Sequence, residues 1–330
     1  MSPHRADRIL GSLMAGAIGD ALGAGIEFLR LSDIEELYGP AGATDFTPFY
    51  GHDAPITDDT QMTLFTAEGL LEAAANGTDP VEEVWAAYQR WYHTQGGPLP
   101  EGVETDFGLL AVADLHDSRA PGNTCMGALR GGVPGTTTEP VNRSKGCGGI
   151  MRVAPVGMVV DDDDEVYRIG CSVAALTHGH RCGWIPAGVQ AVMVKHLIGG
   201  GNMEDAVAAG RSMADADPRG REVLEAVDSA IDLAHGAPLD GWDLEELGGA
   251  WVGEEALAIA VACVLAEPDP NRAMLLAVNH SGDSDSTGAI VGNLVGACHG
   301  ADAISDDWRQ RVEMADLISS TAGQVADLGG

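Results

Sequence analysis

The chain has 330 residues, and 50 aspartates and glutamates outnumber its 18 lysines and arginines, which gives a formal net charge of −32. So few basic residues, scattered along the chain, do not make the phosphate-neutralising patch of a nucleic-acid-binding protein. The longest purely apolar run, residues 256–266, is shorter than the ~18–20 residues that cross a bilayer. Composition therefore argues against direct nucleic-acid binding and against a membrane anchor.

The N-terminus imitates a secretion signal, because Arg5 and Arg8 precede an apolar stretch. Glycines and Asp20 interrupt that stretch early, and the apolar spacing continues as in a helix. The six cysteines are dispersed and lack the spacing of a zinc site, as is typical of reduced thiols. We therefore predict a cytoplasmic protein.

Apolar residues recur at spacings of three and four along most of the chain, which is the pattern of amphipathic helices. Alternating strand patterns are almost absent. The pattern therefore predicts an all-α fold. In chain order, the predicted helices cover residues 5–23, 59–76, 80–93, 105–117, 164–175, 182–198, 203–214, 221–235, 253–266, 271–278, 287–300 and 306–319.

Glycines inside the predicted helices indicate how closely the helices pack. Gly16, Gly19 and Gly23 lie in the first helix, where glycine costs stability unless it allows close helix contact. Three stretches rich in glycine, proline and threonine resist helix formation and are the expected ligand-facing loops, at residues 46–57, 95–103 and 131–149. No linker divides the chain, so we predict a single compact multi-helix domain over residues 1–330.

The first acidic motif, residues 56–61, places Asp58 and Asp59 between two threonines at the start of an apolar helix. One interpretation is a capping box, in which Asp58 and Gln61 satisfy the free backbone N–H groups of the helix. A single cap does not require two adjacent carboxylates, however. The motif is therefore also a candidate ligand site.

The second acidic motif, residues 281–288, holds Asp283 and Asp285 before another apolar helix. It resembles the start of an EF-hand loop, but the twelfth position is Leu294 where calcium requires a bidentate glutamate. Brought together, the two motifs supply carboxylates and hydroxyls, a ligand set that selects Mg²⁺ or Mn²⁺ over zinc. Four carboxylates at one point repel one another, so we infer two ions between them.

The order of short motifs along nearly the whole chain resembles that of the ADP-ribosylglycohydrolase family. Each motif is weak alone, and their order is specific. They are GAIGDALG at 16–23 followed by Glu27, TDDTQ at 57–61, DFG at 106–108, GCGGIMR at 146–152 with VAP at 153–155, TH at 177–178 and GDSDSTG at 282–288.

The resemblance implies a role for each matching residue. Glu27 matches a mobile acidic residue that closes the metal site, and Asp106 matches an aspartate that handles a proton near the scissile bond. With Asp285, these two are the predicted catalytic residues. Backbone amides at Gly148 and Gly149 approach the diphosphate, and His178 lies near the phosphate or the adenosine pocket. The implied ligands of two Mg²⁺ ions, or of Mn²⁺, are Thr57, Asp58, Asp59, Asp283, Asp285 and Ser286.

Several of these residues have structural alternatives. Asp20 and Asp106 are also suited to capping or pairing, and Glu27 to a solvated helix end. His178 and His180 flank a glycine and so have the spacing of a metal-binding pair. The chain also departs from the family pattern, since Cys147 stands where asparagine or serine is frequent.

The function implied is a magnesium-dependent hydrolase that removes ADP-ribose from an acceptor, with a protein side chain as the favoured substrate. One alternative is a hydrolase of a small ADP-ribosylated metabolite or nucleic-acid end. The other is a non-catalytic ADP-ribose-binding protein, against which the intact carboxylates of both motifs argue. The motifs do not determine the linkage that is cleaved.

Overall fold

The computed structural model describes residues 4–236 and 238–328. Within these ranges the chain forms helices and no β-strand, and its only bridges are isolated pairs, which confirms the all-α prediction. The α-helices are α1 (Arg5–Gly23), α2 (Leu31–Tyr38), α3 (Asp58–Asn76), α4 (Pro80–Thr94), α5 (Asn123–Gly131), α6 (Val156–Val159), α7 (Asp163–Ala175), α8 (Arg181–Ile198), α9 (Met203–Ala216), α10 (Arg221–Ala234), α11 (Gly241–Leu244), α12 (Gly253–Ala266), α13 (Pro270–Val278), α14 (Ser284–His299), α15 (Asp306–Arg311) and α16 (Ala315–Asp327). Short 3-10 helices lie at Gly108–Ala111, Ala113–His116, Cys147–Gly149, Glu245–Leu247 and Ala301–Ala303.

The most extensive helix contact joins the two ends of the chain, between α1 and α14. A methyl group on Gly19 would lie 1.9 Å from the carbonyl oxygen of Gly288, and one on Gly292 would lie 2.0 Å from that of Ala15. Because no side chain fits there, the backbones come into direct contact. This confirms the dense packing that the glycines predict, and it fixes the start of α14 beside the end of α1.

The helix predicted over residues 105–117 is wrong, because the structure has two 3-10 turns there. Gly108 adopts a left-handed backbone (φ 51°) and the Leu109 N–H donates to the Glu68 carboxylate at 2.6 Å. Both features bend the chain away from an α-helical path. A tertiary hydrogen bond thus overrides the local apolar spacing.

The prediction of one helix over residues 306–319 is also wrong. Val312 is extended and Met314 has a positive φ of 61°, so the segment divides into α15 and α16. The helix predicted from residue 287 begins earlier, at Ser284. Helices α2, α5, α6 and α11 were not predicted, since each is too short to show a helical period.

One hydrophobic cluster extends from Ile9 in α1 to Val325 in α16. Most residues of α8 and α12 are apolar and lie inside this cluster. The first turns of α3 and α14 line a cavity at the edge of the cluster. Across residues 4–236 and 238–328, no helix has the length and apolar character needed to cross a membrane.

Candidate active site

A cavity of about 290 Å³ lies where α3 and α14 begin. Its carboxylates come from both helix starts and from the turn that follows α1. The two acidic motifs, distant in sequence, therefore share one cavity. We call Glu27, Asp58, Asp59, Asp283 and Asp285 the acidic group.

Uncharged residues line much of the remaining cavity surface. They come from the start of α5, from the 3-10 turn at Cys147–Gly149 and from the loop before α8. Within the described ranges, neither lysine nor arginine lines the cavity. We call Asn123, Thr124, Gly146, Gly148 and His178 the neutral group.

Asp20 in α1 fixes the start of α3. It is fully buried, and it accepts hydrogen bonds from the Thr57 N–H at 3.0 Å, the Thr60 N–H at 3.1 Å and the Thr60 hydroxyl at 2.5 Å. Burial raises the pKa of Asp20 to about 6, although these hydrogen bonds oppose the shift. Asp20 is therefore a structural carboxylate, in agreement with the alternative that the sequence offered for it.

Thr57, and not Asp58, caps α3, so the predicted capping box is wrong. The Thr57 hydroxyl accepts from the Asp59 N–H at 3.2 Å. The Asp58 carboxylate instead reaches across the cavity edge, where its Oδ2 accepts from the Gly122 N–H at 3.1 Å. Capping by the threonine leaves both aspartates of the motif available to the cavity.

Asp59 and Asp285 are buried carboxylates with little hydrogen bonding of their own. Asp285 Oδ1 accepts the neighbouring Ser286 N–H at 2.9 Å, and Asp59 Oδ2 is buried without a hydrogen-bond partner among the described residues. A buried carboxylate oxygen is costly unless a donor or a cation satisfies it. The unsatisfied oxygen of Asp59 is therefore suited to a cation ligand role.

Glu27, Asp283 and Asp285 complete the acidic group. Each places a carboxylate oxygen within 4.8 Å of the others. The Cys147 thiol donates to Asp283 Oδ2 at 2.7 Å, and Ser286 Oγ lies 3.8 Å from the Cys147 sulfur. The predicted ligand Ser286 thus lies in the cavity wall beside the carboxylates.

Burial and mutual repulsion favour the protonated form of the acidic group. Burial, with the charges of Asp283 and Asp58 next in importance, raises the pKa of Glu27 to about 8. Burial also raises the pKa of Asp58 to about 8, and the Gly122 N–H partly opposes this shift. The pKa values of Asp59 and Asp285 lie well above their usual range for the same reasons.

The acidic group fits a hard divalent cation. Its donors are oxygens, one of them unsatisfied, and no basic side chain of the described chain neutralises them at the cavity. Magnesium and manganese prefer such ligands. The Cys147 thiol is the one soft atom nearby, and burial together with the charge of Asp283 holds its pKa well above the usual value.

His178 lies against two glycines of the cavity wall. Its Nδ1 is 2.9 Å from the Thr177 hydroxyl. A methyl group would lie 2.9 Å from the imidazole Cε1 if added to Gly148, and 3.2 Å from Nε2 if added to Gly146. Glycine is therefore needed for the ring to reach the cavity. Burial lowers the pKa of His178 to about 3, so the ring is neutral at physiological pH.

His178 and His180 do not form a metal-binding pair. His180 caps α8, where its Nδ1 accepts from the Cys182 N–H at 3.1 Å. His180, Cys182 and Glu222 do bring three candidate donor atoms within 4.8 Å of one another. However, Glu222 is held by Arg181 at 3.1 Å, and such a positive side chain disfavours a cation.

Three predicted site residues, Thr57, Asp106 and Gly149, lie outside the cavity lining, and Thr57 instead caps α3. Gly149 packs against α8, where a methyl group would lie 2.4 Å from the carbonyl oxygen of Gly183. Asp106 is exposed, and Leu109 just beyond it binds Glu68. Glu68 lies ten residues after Asp58 in α3, which is about 15 Å along the helix. The segment that contains Asp106 is therefore attached to α3 at a distance from the acidic group.

The sequence analysis missed part of the cavity wall. Gly122, Asn123 and Thr124 open α5 and line the cavity, and the preceding Ala120 has a positive φ of 53°. The run of proline, glycine, asparagine and threonine at 121–124 was the available signal, although it carries no charge. At the rim, the exposed rings of Phe28 and Trp251 stack with centroids 5.6 Å apart.

Comparison with known proteins agrees with this geometry. A model of the ADP-ribosylglycohydrolase family matches residues 1–330. The ADP-ribosyl-[dinitrogen reductase] glycohydrolase of Rhodospirillum rubrum is 28% identical over 94% of this chain and 92% of its own. Human ADP-ribosylhydrolase ARH3 is 24% identical over 96% and 93%, respectively, and the ADP-ribosylarginine hydrolase Tri1 of Serratia proteamaculans is 24% identical over 97% and 79%.

A solved structure of an ADP-ribosylglycohydrolase-related protein complex superimposes with a TM-score of 0.68, at 25% identity and 99% coverage of both chains. The family match spans the whole chain, and the motifs that it contains form one acidic cavity. The chain therefore belongs to the ADP-ribosylglycohydrolase family and is a glycohydrolase of ADP-ribosylated acceptors.

Proposed function

We propose that this chain is a magnesium-dependent hydrolase that removes ADP-ribose from a modified protein side chain by using two Mg²⁺ ions. The observation that carries the proposal is the buried Asp59 Oδ2, which has no hydrogen-bond partner among the described residues and belongs to a group of five carboxylates. Such a group is stable in its charged form only with cations between its members.

The proposed ligands come from the two helix starts. Thr57, Asp58 and Asp59 precede or open α3, and Asp283, Asp285 and Ser286 do the same for α14. When bound, the ions supply positive charge that orients the ribose and lowers the pKa of a water to make it a nucleophile. We propose Mg²⁺ as the native ion and Mn²⁺ as a substitute, because both accept oxygen ligands.

The neutral group is the proposed site of the diphosphate. The His178 ring and the backbone near Gly148 offer hydrogen-bond donors without adding negative charge. Asn123 and Thr124 join this surface at the start of α5. An anionic substrate would be repelled by the acidic group alone, so the donors and the ions must act together.

Glu27 is the proposed proton acceptor and lid. It is half-buried, lies in the turn between α1 and α2, and is within 4.8 Å of Asp283 and Asp285. In hydrolysis the glycosidic bond breaks, the attacking water loses a proton and the leaving group gains one. Glu27 can accept the first proton once cations stabilise its carboxylate form. Asp106 stays a prediction as the proton donor, and reaching the cavity requires movement of its exposed segment.

A protein side chain is the favoured acceptor, since two relatives are named for dinitrogen reductase and for ADP-ribosylarginine. The continuous core from Ile9 to Val325 supports a single domain over residues 1–330. All six cysteines are free of disulfides, which supports a reducing, cytoplasmic location.

The test is release of ADP-ribose, measured by mass spectrometry, from arginine-linked and serine-linked peptides, a small ADP-ribosylated metabolite and an ADP-ribosylated nucleic-acid end. We expect release from a peptide with Mg²⁺ and none with EDTA. Asp302→Asn is the matched control, because Asp302 is 94% exposed. Release from the metabolite or the nucleic acid alone would show that the acceptor is not a protein side chain. Binding of ADP-ribose without release from any substrate would favour the non-catalytic alternative.

A further inference from the structure

The described chain buries four arginine side chains, and three of them meet negative or strongly polar acceptors. Arg90 pairs with two glutamates of α3, and Arg119 pairs with Glu313 at 2.8 Å. Arg8 donates to main-chain carbonyls at the ends of α8 and α14. Arg152, the most deeply buried, differs from these three because its hydrogen-bond acceptors among the described residues are neither carboxylates nor carbonyls but one hydroxyl and two sulfurs.

All the partners of Arg152 are uncharged. Its guanidinium donates to the Thr177 hydroxyl at 2.6 Å, to the Cys125 sulfur at 3.2 Å and to the Met62 sulfur at 3.3 Å. It lies over the Tyr88 ring, with Cζ 4.4 Å from the centroid, and its Nε is buried without a partner. A buried cation without a counter-ion is costly, so its charge has to be compensated from nearby.

Arg152 lies one layer of atoms behind the neutral part of the cavity. Cys125, which it contacts directly, lines the cavity, and so does His178, which it contacts through Thr177. A methyl group on Gly148 would touch both, at 3.1 Å from the Cys125 sulfur and 2.9 Å from the His178 ring. Gly148, Cys125 and His178 therefore form one patch of cavity surface with the guanidinium behind it.

The charge of Arg152 acts on that patch. After burial, this charge is the next cause that lowers the pKa of His178 to about 3. It acts on Cys125 as well, where it opposes the effect of burial on the thiol pKa. The field of the buried guanidinium thus extends to two residues that line the cavity, which no lysine or arginine of the described chain lines.

We infer that Arg152 is a positioning residue for the substrate diphosphate, whose negative charge is the counter-ion that the buried guanidinium lacks. This inference rests on the proposed function, because it takes ADP-ribose as the ligand. The metals and Arg152 then have separate roles, since the ions neutralise the acidic group and Arg152 gives the neutral group a positive potential.

Thr177 is the link between the guanidinium and the cavity. The Arg152 guanidinium can only donate hydrogen bonds, so the Thr177 oxygen accepts from it. The Thr177 hydroxyl can in turn donate a hydrogen bond to His178 Nδ1. The imidazole hydrogen is then on Nε2, the nitrogen that faces Gly146 and Gly148. In this arrangement His178 is a neutral donor to a phosphate oxygen, held in one tautomer by the buried arginine.

The test compares the affinities of ADP-ribose, ADP and adenosine, measured by calorimetry in excess Mg²⁺ for wild type, Arg152→Met and Arg152→Lys. Methionine keeps most of the volume and removes the charge, whereas lysine keeps the charge. We expect Arg152→Met to weaken ADP and ADP-ribose about tenfold and to leave adenosine within about twofold, as for loss of one buried charge. Arg152→Lys should retain most of the preference for ADP over adenosine.

A second pair keeps the inference testable if Arg152→Met does not fold. Thr177→Val removes the hydroxyl with little change in shape, and Thr177→Ser restores it. We expect the valine variant to lose several-fold in ADP affinity and the serine variant to match wild type, with similar melting temperatures. The role of Arg152 would be overturned if every folded variant kept the wild-type ratio of ADP affinity to adenosine affinity, whether or not both affinities fell. The proposed function would remain intact in that case. A wild-type protein that binds neither ADP-ribose nor ADP would overturn both.

Discussion

The acidic group and the neutral group of the cavity have opposite electrostatic designs. The acidic group places buried carboxylates so close together that their pKa values rise, to about 8 for Asp58 and Glu27. The neutral group carries no charge at its surface and has Arg152 buried behind it. The first requires cations, and the second suits an anion. A diphosphate ester bound beside metal ions satisfies both, which explains why one cavity contains the two groups.

The largest expected effect is the loss of a metal-neutralising charge from the acidic group. Asp59→Asn and Asp285→Asn keep the side-chain volume and remove one negative charge each. We expect each variant to lose activity by about a hundredfold or more, since ligand loss removes stabilisation worth several kcal/mol in the transition state. Turnover is measured by ADP-ribose release in Mg²⁺, with Asp302→Asn as control. Wild-type rates in both variants would exclude the metal site.

An effect of intermediate size is expected on stability, where substitutions at the buried aspartates Asp20 and Asp59 should have opposite signs. Asp20 is satisfied by three donors, whereas Asp59 has an oxygen without a partner. Asp20→Asn should therefore destabilise the protein by roughly 1–3 kcal/mol, because the amide turns a donor toward Thr57 or Thr60. Asp59→Asn should stabilise the metal-free protein at pH 8, since it removes repulsion. Melting curves in EDTA check both signs, and a shift in the same direction for both variants would contradict the contrast.

The smallest effect on metal binding is expected at Glu27, which is half-buried and lies at the cavity edge. Glu27→Ala should leave metal binding largely intact because the other ligands remain. Turnover should fall by about a hundredfold, because the variant lacks the proposed proton acceptor. ADP-ribose should bind as tightly or more tightly, since closure of the cavity depends on the lid. Calorimetry and steady-state kinetics on this variant measure both quantities. Unchanged kinetics would assign Glu27 to a solvated helix end, where a substitution costs at most ~0.5 kcal/mol.

Local motifs identified the four aspartates that line one cavity, because each pair of aspartates lies within one helix start. The glycines of α1 also predicted close contact with another helix, since glycine inside a helix lowers stability unless it allows such contact. The structure identifies that helix as α14. The 3-10 turns near Gly108 were not predictable, because they depend on a hydrogen bond to Glu68 far along the chain. Arg152 lies inside a recognised motif, yet its lack of a carboxylate partner is visible only in the folded structure.

The pH dependence of the acidic group follows from the raised pKa values. Without metal, the folded protein binds more protons than the unfolded chain between about pH 4, where free carboxylates titrate, and about pH 8, the folded pKa of Asp58 and Glu27. These groups therefore stabilise the fold below that window and lose their contribution as the pH rises through it. Because cations replace the protons, the stabilisation gained from Mg²⁺ should increase over the same range.

The most direct measurement of the metal site is a calorimetric titration of EDTA-treated, dialysed protein with Mg²⁺ at pH 8 and at pH 5, followed by melting curves. We predict two ions per chain at pH 8, with about 2.7 kcal/mol of added unfolding free energy for each ion at a hundredfold excess over its Kd. At pH 5, binding should be much weaker and the melting temperature nearly unchanged. Absence of binding and of any change in melting temperature at millimolar Mg²⁺ and pH 8 would contradict the dinuclear site.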